Sequence, residues 1–380
     1  MRSAAIVGSG IAGLLTAHGL LREGFRVTLY SDRTPEDWLL RSAPTGTAAR
    51  FPRSLDYDAE LGLNFWDDAC PELMGVSLSF GLKPRNRLVT LTGRLDRPAR
   101  AIDVRMMSAR WMDELTARGG AVVIESVTVE RLDAIAAEHD LTVVAAGRKE
   151  LWSLFPRHAE RSVYDGPQRK LCLVITRGGR MGFDGVPFLP VRFNLTADVG
   201  EAFWVPYLHK DGDPTWNLLF EAKPGGPMDR FDPATNGHEA LAIARQVIRD
   251  LAPWDADWAD TMTLADDHGW LKGSVTPTVR EPVARLPSGR VVTGVGDTLV
   301  SLDPIAGQGA NSGTRMARNL VKAAAARGDA PLDEPWMRET FETFWEAQGQ
   351  HIVRFNNLLL EPLTSAGRML LLSQYGSDGA

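Results

Sequence analysis

Two glycine-rich stretches, far apart in the 380-residue chain, have residue types and spacing that suit a dinucleotide cofactor. The first, residues 8–13 (Gly-Ser-Gly-Ile-Ala-Gly), directly follows an apolar run at residues 4–7. This order predicts a strand, a tight glycine turn and the start of a helix, which lets the backbone approach a pyrophosphate and aims a helix N-terminus at it. The cofactor contacts predicted from this stretch are Gly8, Gly10, Ile11, Ala12 and Gly13.

The second stretch narrows the dinucleotide to FAD. Asp297 closes a predicted strand after Gly296, where its carboxylate can bond a hydroxyl of the ribityl chain. Residues 303–311 (Asp-Pro-Ile-Ala-Gly-Gln-Gly-Ala-Asn) then open a helix that can lie against the isoalloxazine ring. A helix N-terminus at that place favours the negative charge of a reduced flavin, and NAD needs no such second site. The predicted cofactor contacts here are Gly296, Asp297, Pro304, Gly307, Gly309, Ala310 and Asn311.

Hydroxyl and charged side chains elsewhere are candidates for the rest of the cofactor. A ribose-binding residue is expected about 20 residues after the glycine turn, which points to Ser31 with Asp32 beside it. Arg33 either stacks on adenine or is a surface charge, and Arg41 either reaches the pyrophosphate or pairs at the surface. For Arg105, at the start of a predicted amphipathic helix, a pyrophosphate contact is the favoured interpretation. The remaining predicted cofactor contacts are Val127 and Gly147.

Composition predicts a cytoplasmic enzyme that binds neither nucleic acid nor a membrane. Hydrophobic residues make up 44% of the chain and charged residues 24%, with a net charge of −6 that disfavours polyanionic partners. Cys70 and Cys172 have no metal-like spacing, so no metal is expected and a reducing compartment is the simplest interpretation. The N-terminus leaves no room for a signal peptide, and no apolar run reaches the ~18 residues of a membrane span.

The pattern of strands and helices predicts an α/β protein in which a β-rich domain is inserted into a FAD-binding Rossmann-type domain. Helices are predicted at 11–22, 103–118, 238–251 and 309–327, and residues 38–60 are predicted to be irregular because Pro44, Gly46 and Pro52 interrupt any period. The FAD domain is assigned to residues 1–75, 98–165 and 285–330, the substrate domain to 76–97 and 166–284, and a C-terminal helical segment to 331–380.

Several of these motifs together resemble one family. They are residues 8–13, 30–35 (Tyr-Ser-Asp-Arg-Thr-Pro), 100–105 (Arg-Ala-Ile-Asp-Val-Arg), 117–120, 166–169 and the block from Gly296 to Asn311. The chain resembles the oxygenase component of the two-component styrene and indole monooxygenases, which are flavoprotein monooxygenases of group E. The resemblance implies a para-hydroxybenzoate hydroxylase-like fold and reduced FAD supplied by a separate NADH-dependent flavin reductase. It also implies a flavin C4a-hydroperoxide that passes one oxygen of O2 to an alkene, indole or sulfide. A homodimer is expected.

Two departures refine this expectation. Single-component hydroxylases carry an Asp-Gly pair where this chain has Ala146-Gly147, which fits an enzyme that docks no nicotinamide. Pro44, Gly46 and Ala48 match neither the styrene nor the indole members, whereas Val76 and Ala99 follow the indole pattern. The predicted substrate residues are Pro44, Gly46, Ala48, Val76, Ala99 and Leu302, and the predicted catalytic residues are Pro304, Gly307, Gln308 and Asn311.

Other functions stay open at this point. One alternative is a self-contained NAD(P)H-dependent aromatic hydroxylase, and another is a non-enzymatic flavin-binding protein. A flavin halogenase would carry a Trp-x-Trp-x-Ile-Pro segment, which residues 203–206 (Phe-Trp-Val-Pro) do not match.

Overall fold

The computed structural model describes residues 1–46, 49–365, 367 and 369. The first half of the chain contains β1 (Ser3–Val7), α1 (Ile11–Arg22), β2 (Arg26–Ser31), α2 (Pro35–Leu40), β3 (Ala49–Arg50), α3 (Pro52–Glu60), β4 (Leu73–Gly81), β5 (Val89–Ala101), α4 (Val104–Ala117), β6 (Ala121–Ile124), α5 (Val129–Glu138), β7 (Leu141–Val144), α6 (Lys149–Trp152) and β8 (Lys170–Arg177). The second half contains β9 (Pro190–Thr196), β10 (Gly200–Leu208), β11 (Pro214–Ala222), α7 (Gly237–Leu251), α8 (Ala256–Asp260), β12 (Thr263–Leu264), β13 (Trp270–Ser274), β14 (Thr278–Val279), β15 (Val283–Arg285), β16 (Val291–Gly294), β17 (Val300–Ser301), α9 (Gly309–Ala326), α10 (Glu334–Phe344) and α11 (Gln350–Leu360).

A six-stranded, mostly parallel sheet forms the dinucleotide-binding half of the molecule. Its strand order is β15-β16-β7-β1-β2-β6, and only β15 runs antiparallel to its neighbour. All five residues of β1 are buried, as expected for a central parallel strand covered by helices on both faces. The carboxyl end of β1 leads into the glycine turn at residues 8–10, so this turn lies at the edge where parallel α/β sheets bind ligands.

The second sheet has nine strands. Its order is β12-β8-β11-β10-β9-β4-β5-β3, with β13 pairing to β8 on a branch. Both strands of the β4–β5 hairpin belong to it, although residues of α3 and α4 on either side pack with the first sheet. One face of this sheet packs on α7 and α8, and the other packs on Ile305 and on Leu360 of α11.

The expectation that residues 38–60 are irregular is wrong in part. Helix α2 extends to Leu40, and α3 begins at Pro52. A proline interrupts a helix only in its interior. At the first helical position its missing N–H costs nothing, and its fixed φ suits the start. Helix α2 also has a proline at its first position, and the Thr34–Asp37 capping box binds backbone N–H groups at its N-terminus.

Two more elements were not expected from the sequence at their full length. Strand β5 runs from Val89 to Ala101, because residues 89–94 and Ala99 pair with β4 and its last two residues pair with β3. Helix α5 follows a Thr128 cap that the sequence analysis did not use. No described helix is long and apolar enough to cross a membrane.

Candidate active site

A cleft of about 800 Å³ runs between the two sheets. At one end it is lined by the turn at residues 8–12 and by Asp32, Arg33, Val127 and Gly147. Its middle is lined by residues 295–298 and by Pro304, Gly307, Gly309 and Ala310. Its far end is an apolar chamber against the nine-stranded sheet. The structure therefore brings the two glycine-rich stretches, nearly 300 residues apart, onto one continuous surface.

The turn after β1 has the geometry of a pyrophosphate cradle. Gly8 has φ +120°, and a Cβ there would lie 2.4 Å from the Ala145 carbonyl oxygen, so this position requires glycine. A Cβ on Gly13 would lie 2.0 Å from the Gly8 carbonyl oxygen, so this glycine lets α1 pack against the turn. Gly10 differs from both, because a Cβ there would meet no atom within 4 Å and would stand in the cleft. Gly8 and Gly13 therefore allow the close packing of the turn, whereas Gly10 leaves room in the cleft for a pyrophosphate.

Ser31 supports this turn from beneath and does not line the cleft. Its hydroxyl is buried, donates to the Arg33 carbonyl at 2.6 Å and lies 2.7 Å from the Ser9 hydroxyl. Trp38 Nε1 also donates to Ser9 Oγ, at 3.1 Å. Of the two residues predicted to contact the ribose, only Asp32 faces the cleft. A hydrogen bond from Arg33 lowers the pKa of Asp32, so an ionised acceptor stands at this end.

Arg33 lies at the rim of the cleft in a fixed orientation. Its guanidinium donates to Asp32 at 2.9 and 3.0 Å and lies 4.5 Å from the centre of the Trp38 ring. Because this arrangement presents a planar cation to the cleft, it supports stacking on adenine over the alternative of a free surface charge. Arg41 is mostly exposed, pairs with Asp37 and does not line the cleft.

Arg105 is placed differently from the sequence expectation. Its side chain is fully buried and donates to Asp103 at 2.9 and 2.7 Å and to Asp266 at 3.0 Å. Asp266 also lies 2.7 Å from His209 Nε2. With its donors directed at two carboxylates, Arg105 does not line the cleft, and it joins α4 to the nine-stranded half of the molecule. Sequence reasoning missed Asp266 because it lies 161 residues away from this arginine.

Asp297 is enclosed by the cleft walls, and its side chain is exposed to the cleft. Burial raises the pKa of its carboxyl, and the neighbouring Arg280 guanidinium opposes that rise. Arg280 also donates to the carbonyls of Asp297 and Thr298, at 3.2 and 3.3 Å, and so holds the 3₁₀ turn Gly296–Thr298 in place. Among the described residues the Asp297 carboxyl has no hydrogen-bonded partner, and because it is open to the cleft it fits the role of a hydroxyl acceptor for FAD.

The 303–309 loop closes the middle of the cleft. Asp303 caps the short 3₁₀ turn Pro304–Ala306 by accepting from Ile305 N at 3.2 Å, and Gly307 takes the left-handed conformation with φ +60°. Pro304, Ala306 and Gly307 line the cleft, and the first turn of α9 follows with its free N–H groups. This arrangement suits a reduced flavin, whose negative charge would face the helix N-terminus.

Two residues predicted to be catalytic lie outside the cleft lining. Asn311 is fully buried and makes four hydrogen bonds: it accepts from Phe51 N and Ser54 Oγ, and donates to the carbonyls of Ala49 and Gly307. The Gln308 side chain donates to the Ala306 carbonyl at 3.2 Å. Asn311 therefore positions Phe51 and Gly307, which do line the cleft.

The far chamber is apolar. Its walls include Val76, Val191, Phe193, Phe203, Leu219 and Leu302. Of the predicted substrate residues, Gly46, Val76 and Leu302 line it, whereas Pro44 and Ala99 are buried elsewhere. Ala48 lies outside the described residues. The aromatic residues of β9 and β10 were missed because their alternating pattern indicates only a sheet face, not what covers it.

Metal chemistry gains no support from the part of the chain that the structure describes. Within it, no group of three or more His, Cys, Asp or Glu side chains is placed to hold a metal ion.

Comparisons with known proteins match parts of the chain to two family models and to a curated relative. Residues 147–257 match a family model described as the styrene monooxygenase A putative substrate binding domain, and residues 6–34 match an NAD(P)-binding Rossmann-like domain. The chain is 28% identical over 319 residues to styrene monooxygenase StyA from Pseudomonas fluorescens, covering 82% of this chain and 74% of that protein.

Solved structures share the fold along nearly the whole chain. The flavin-dependent brominase Bmp2 superposes with a TM-score of 0.67 at 15% identity, covering 98% of this chain and 93% of that one. PqsL from Pseudomonas aeruginosa, described as a probable FAD-dependent monooxygenase, superposes with a TM-score of 0.65 at 14% identity, covering 99% and 97%.

Fold, cleft and relatives together define a FAD-dependent monooxygenase. More narrowly, the substrate-domain match and the StyA relatives support a styrene monooxygenase-type oxygenase, as the motif resemblance indicated. The non-enzymatic alternative is set aside.

The free carboxyl of Asp297 yields a first prediction. We expect Asp297→Ala to weaken FAD binding about tenfold or more, because a hydrogen bond involving a charged group contributes roughly 1.5–3 kcal/mol. Asp297→Asn keeps an acceptor and is expected to lose much less. Titration of both apoproteins with reduced FAD measures the difference, and equal affinity of Asp297→Ala and wild type would contradict the assignment.

Proposed function

We propose that this protein uses O2 and reduced FAD, delivered by a separate NADH-dependent flavin reductase, to transfer one oxygen atom to an indole, aryl alkene or sulfide. The oxygen would pass from a flavin C4a-hydroperoxide, and the second oxygen atom would leave as water. The observation that carries the proposal is the single cleft that joins the glycine turn, the 303–309 loop and an apolar chamber. The homodimer, the domain boundaries and the cytoplasmic location stay predictions.

The residues of the chain have binding, positioning and exclusion roles in this proposal. The glycine turn and Asp32 bind the adenosine and pyrophosphate part, and Asp297 binds the ribityl chain. Pro304 and Gly307 present a surface without ionisable groups to the ring. Oxygen transfer to a π-bond or a sulfur lone pair needs no protein base, so the chamber has only to exclude water and orient the substrate.

The wall at Ala146 supports an external source of electrons. Ala145, Ala146 and Gly147 line the cleft where single-component hydroxylases carry Asp-Gly. We expect the purified protein alone to leave NADH and NADPH unoxidised, and to oxygenate substrate once a flavin reductase or chemically reduced FAD is added. NAD(P)H consumption stimulated by substrate in the pure protein would favour the self-contained hydroxylase instead.

The shape of the chamber supports a bicyclic aromatic substrate. Gly46 adds no side chain to the wall, and Val76 is of moderate size, so a ligand larger than styrene gains apolar contact. Each additional buried methylene-sized group contributes ~0.8 kcal/mol. We therefore expect a higher kcat/KM for indole or a substituted indole than for styrene.

A paired substitution sharpens this prediction. Val76→Phe narrows the chamber and is expected to shift the preference toward styrene. Leu91→Phe adds a phenyl ring at an exposed position of the neighbouring strand and is expected to leave the preference unchanged. If wild type prefers styrene clearly, the proposed assignment of the chamber wall is wrong.

A further inference from the structure

Two buried carboxyls that the proposed reaction does not use lie beside the cleft. Glu221 on β11 and Asp303 at the start of the 303–309 loop are both fully buried. No donor in the part of the chain that the structure describes forms a hydrogen bond to either carboxylate oxygen of Glu221 or to Oδ2 of Asp303. The two carboxyls are within hydrogen-bonding reach of each other. Two acids in such contact, without other donors, cannot both be ionised.

The charges around the pair do not remove this conflict. Glu201 lies opposite Glu221 across the β10–β11 pair, and the Arg169 guanidinium binds it at 2.7 and 3.0 Å. This arginine is therefore neutralised by Glu201. Tyr164 and Lys223 are the other titratable groups near the cluster, but the Tyr164 hydroxyl donates to Glu361, and Lys223 pairs with Asp198. Within the described residues the pair must hold a proton of its own.

The pair is connected directly to the cleft. Asp303 uses its other oxygen to cap the turn that carries Pro304 and Gly307. Side chains alternate along a strand, so Glu221 lies on the same face of β11 as Leu219, which lines the chamber. Ile305 packs in one apolar cluster with Leu219 and Phe203. A change in the contact between the two carboxyls therefore acts on the loop that borders the flavin.

We propose that Glu221 and Asp303 share one proton, and that this shared proton positions the 303–309 loop for FAD. Glu221 is a positioning residue, since it acts through Asp303 and not on the cofactor. The inference rests on the proposed function only for the identity of the ligand.

Electrostatics agree with this geometry. Burial raises the pKa of both carboxyls, and their contact raises that of Glu221 further. The folded protein therefore keeps a proton that the unfolded chain releases above a pH of about 4.3. The contribution of this proton to the stability of the folded protein is complete below that pH. It is lost as the pH rises toward the folded-state pKa, and the folding equilibrium constant then falls by up to about tenfold per pH unit.

Three variants test the proposal. Glu221→Gln keeps a donor toward Asp303 but cannot titrate, Glu221→Ala removes the donor, and Glu339→Gln is a matched control at an exposed position of α10. The first readout is the carbonyl stretch of a protonated carboxylic acid in the infrared spectrum of the apoprotein at pH 7. The second is the affinity for oxidised FAD from fluorescence quenching, and the third is the pH dependence of the unfolding equilibrium.

We expect wild type and Glu339→Gln to show the acid band, and both Glu221 variants to lose it. Glu221→Ala should bind FAD about tenfold more weakly, whereas Glu221→Gln should stay within about twofold of wild type. The fall in stability with rising pH should be weaker in Glu221→Gln than in wild type.

Absence of the acid band in wild type would overturn the shared proton. Equal FAD affinity of Glu221→Ala and wild type would overturn the positioning role. If Glu221→Ala does not fold, the acid band and the pH dependence of stability in Glu221→Gln still decide whether the proton is shared. An FAD affinity of Glu221→Gln well below that of wild type would overturn the positioning of the loop by a donor at residue 221. A band in a protein that binds no FAD would support the proton pair while contradicting the proposed function.

Discussion

Gly10→Val is expected to abolish FAD binding while leaving the apoprotein folded. Gly10 has φ −79° and ψ 178°, an extended conformation that valine adopts without strain. A Cβ at this position meets no protein atom within 4 Å and stands in the cleft. The valine side chain would therefore occupy the space that the pyrophosphate needs, and we expect the Kd to rise about a hundredfold or more, or roughly 3 kcal/mol.

The measurement is a titration with oxidised and with reduced FAD, next to a thermal unfolding curve of the apoprotein. Gly166→Val is a matched control, because Gly166 also has open space around its Cα and does not line the cleft. It should bind FAD like wild type. Retention of wild-type affinity in Gly10→Val would end the assignment of the N-terminal turn to the cofactor.

Arg105→Ala is expected to lower the free energy of unfolding by about 3–5 kcal/mol, because it leaves Asp103 and Asp266 without their buried partner. Arg110→Ala is a control on the same helix. Arg110 forms an exposed pair with Glu114 at 3.3 Å, so its removal should cost about 1 kcal/mol or less. Chemical denaturation of the apoproteins measures both values.

The pH dependence of this network has a defined sign. Burial of Asp266 opposes its ionisation, but hydrogen bonds from His209 and Arg105 outweigh that effect and lower its pKa. Its stabilising contribution is therefore present at neutral pH and is lost as the pH falls below about 4. Wild type should lose more stability in acid than Arg105→Ala does. If Arg105→Ala is as stable as wild type but fails to bind FAD, the pyrophosphate contact that the sequence indicated for Arg105 would be supported instead.

The two glycine-rich stretches show how far local pattern reaches. Each consists of consecutive residues whose backbone conformation and spacing follow from their own types, as at Gly8 and Gly307. The short distance between a strand end and a helix start leaves few geometries, so the turn, the helix start and the class of ligand were predictable. The same reasoning expected Asp297 to close a strand. In the structure β16 ends at Gly294, and Asp297 is open to the cleft from the 3₁₀ turn Gly296–Thr298 that follows.

The directions of polar side chains were the least predictable part of the site. Arg105 and Asn311 have polar groups that either a cofactor or the protein can satisfy, and the choice depends on residues distant in sequence. The expected ribose contact at Ser31 is off by one position, since Asp32 faces the cleft instead. Strand alternation decides whether a side chain faces the cleft or the turn beneath it, and the Ser31 hydroxyl faces the turn. Pro52 was ambiguous for another reason, since one residue type both ends and begins helices.

By itself, the sequence determined the fold class, the glycine turn and the loop that borders the flavin, because these depend on backbone conformation over a few neighbouring residues. Tertiary structure alone decided which polar groups face the cleft, how apolar the chamber is, and that Glu221 meets Asp303. Most of those features depend on contacts between residues distant in the chain, such as Glu221 and Asp303, because side-chain direction and burial are set by packing of the two sheets.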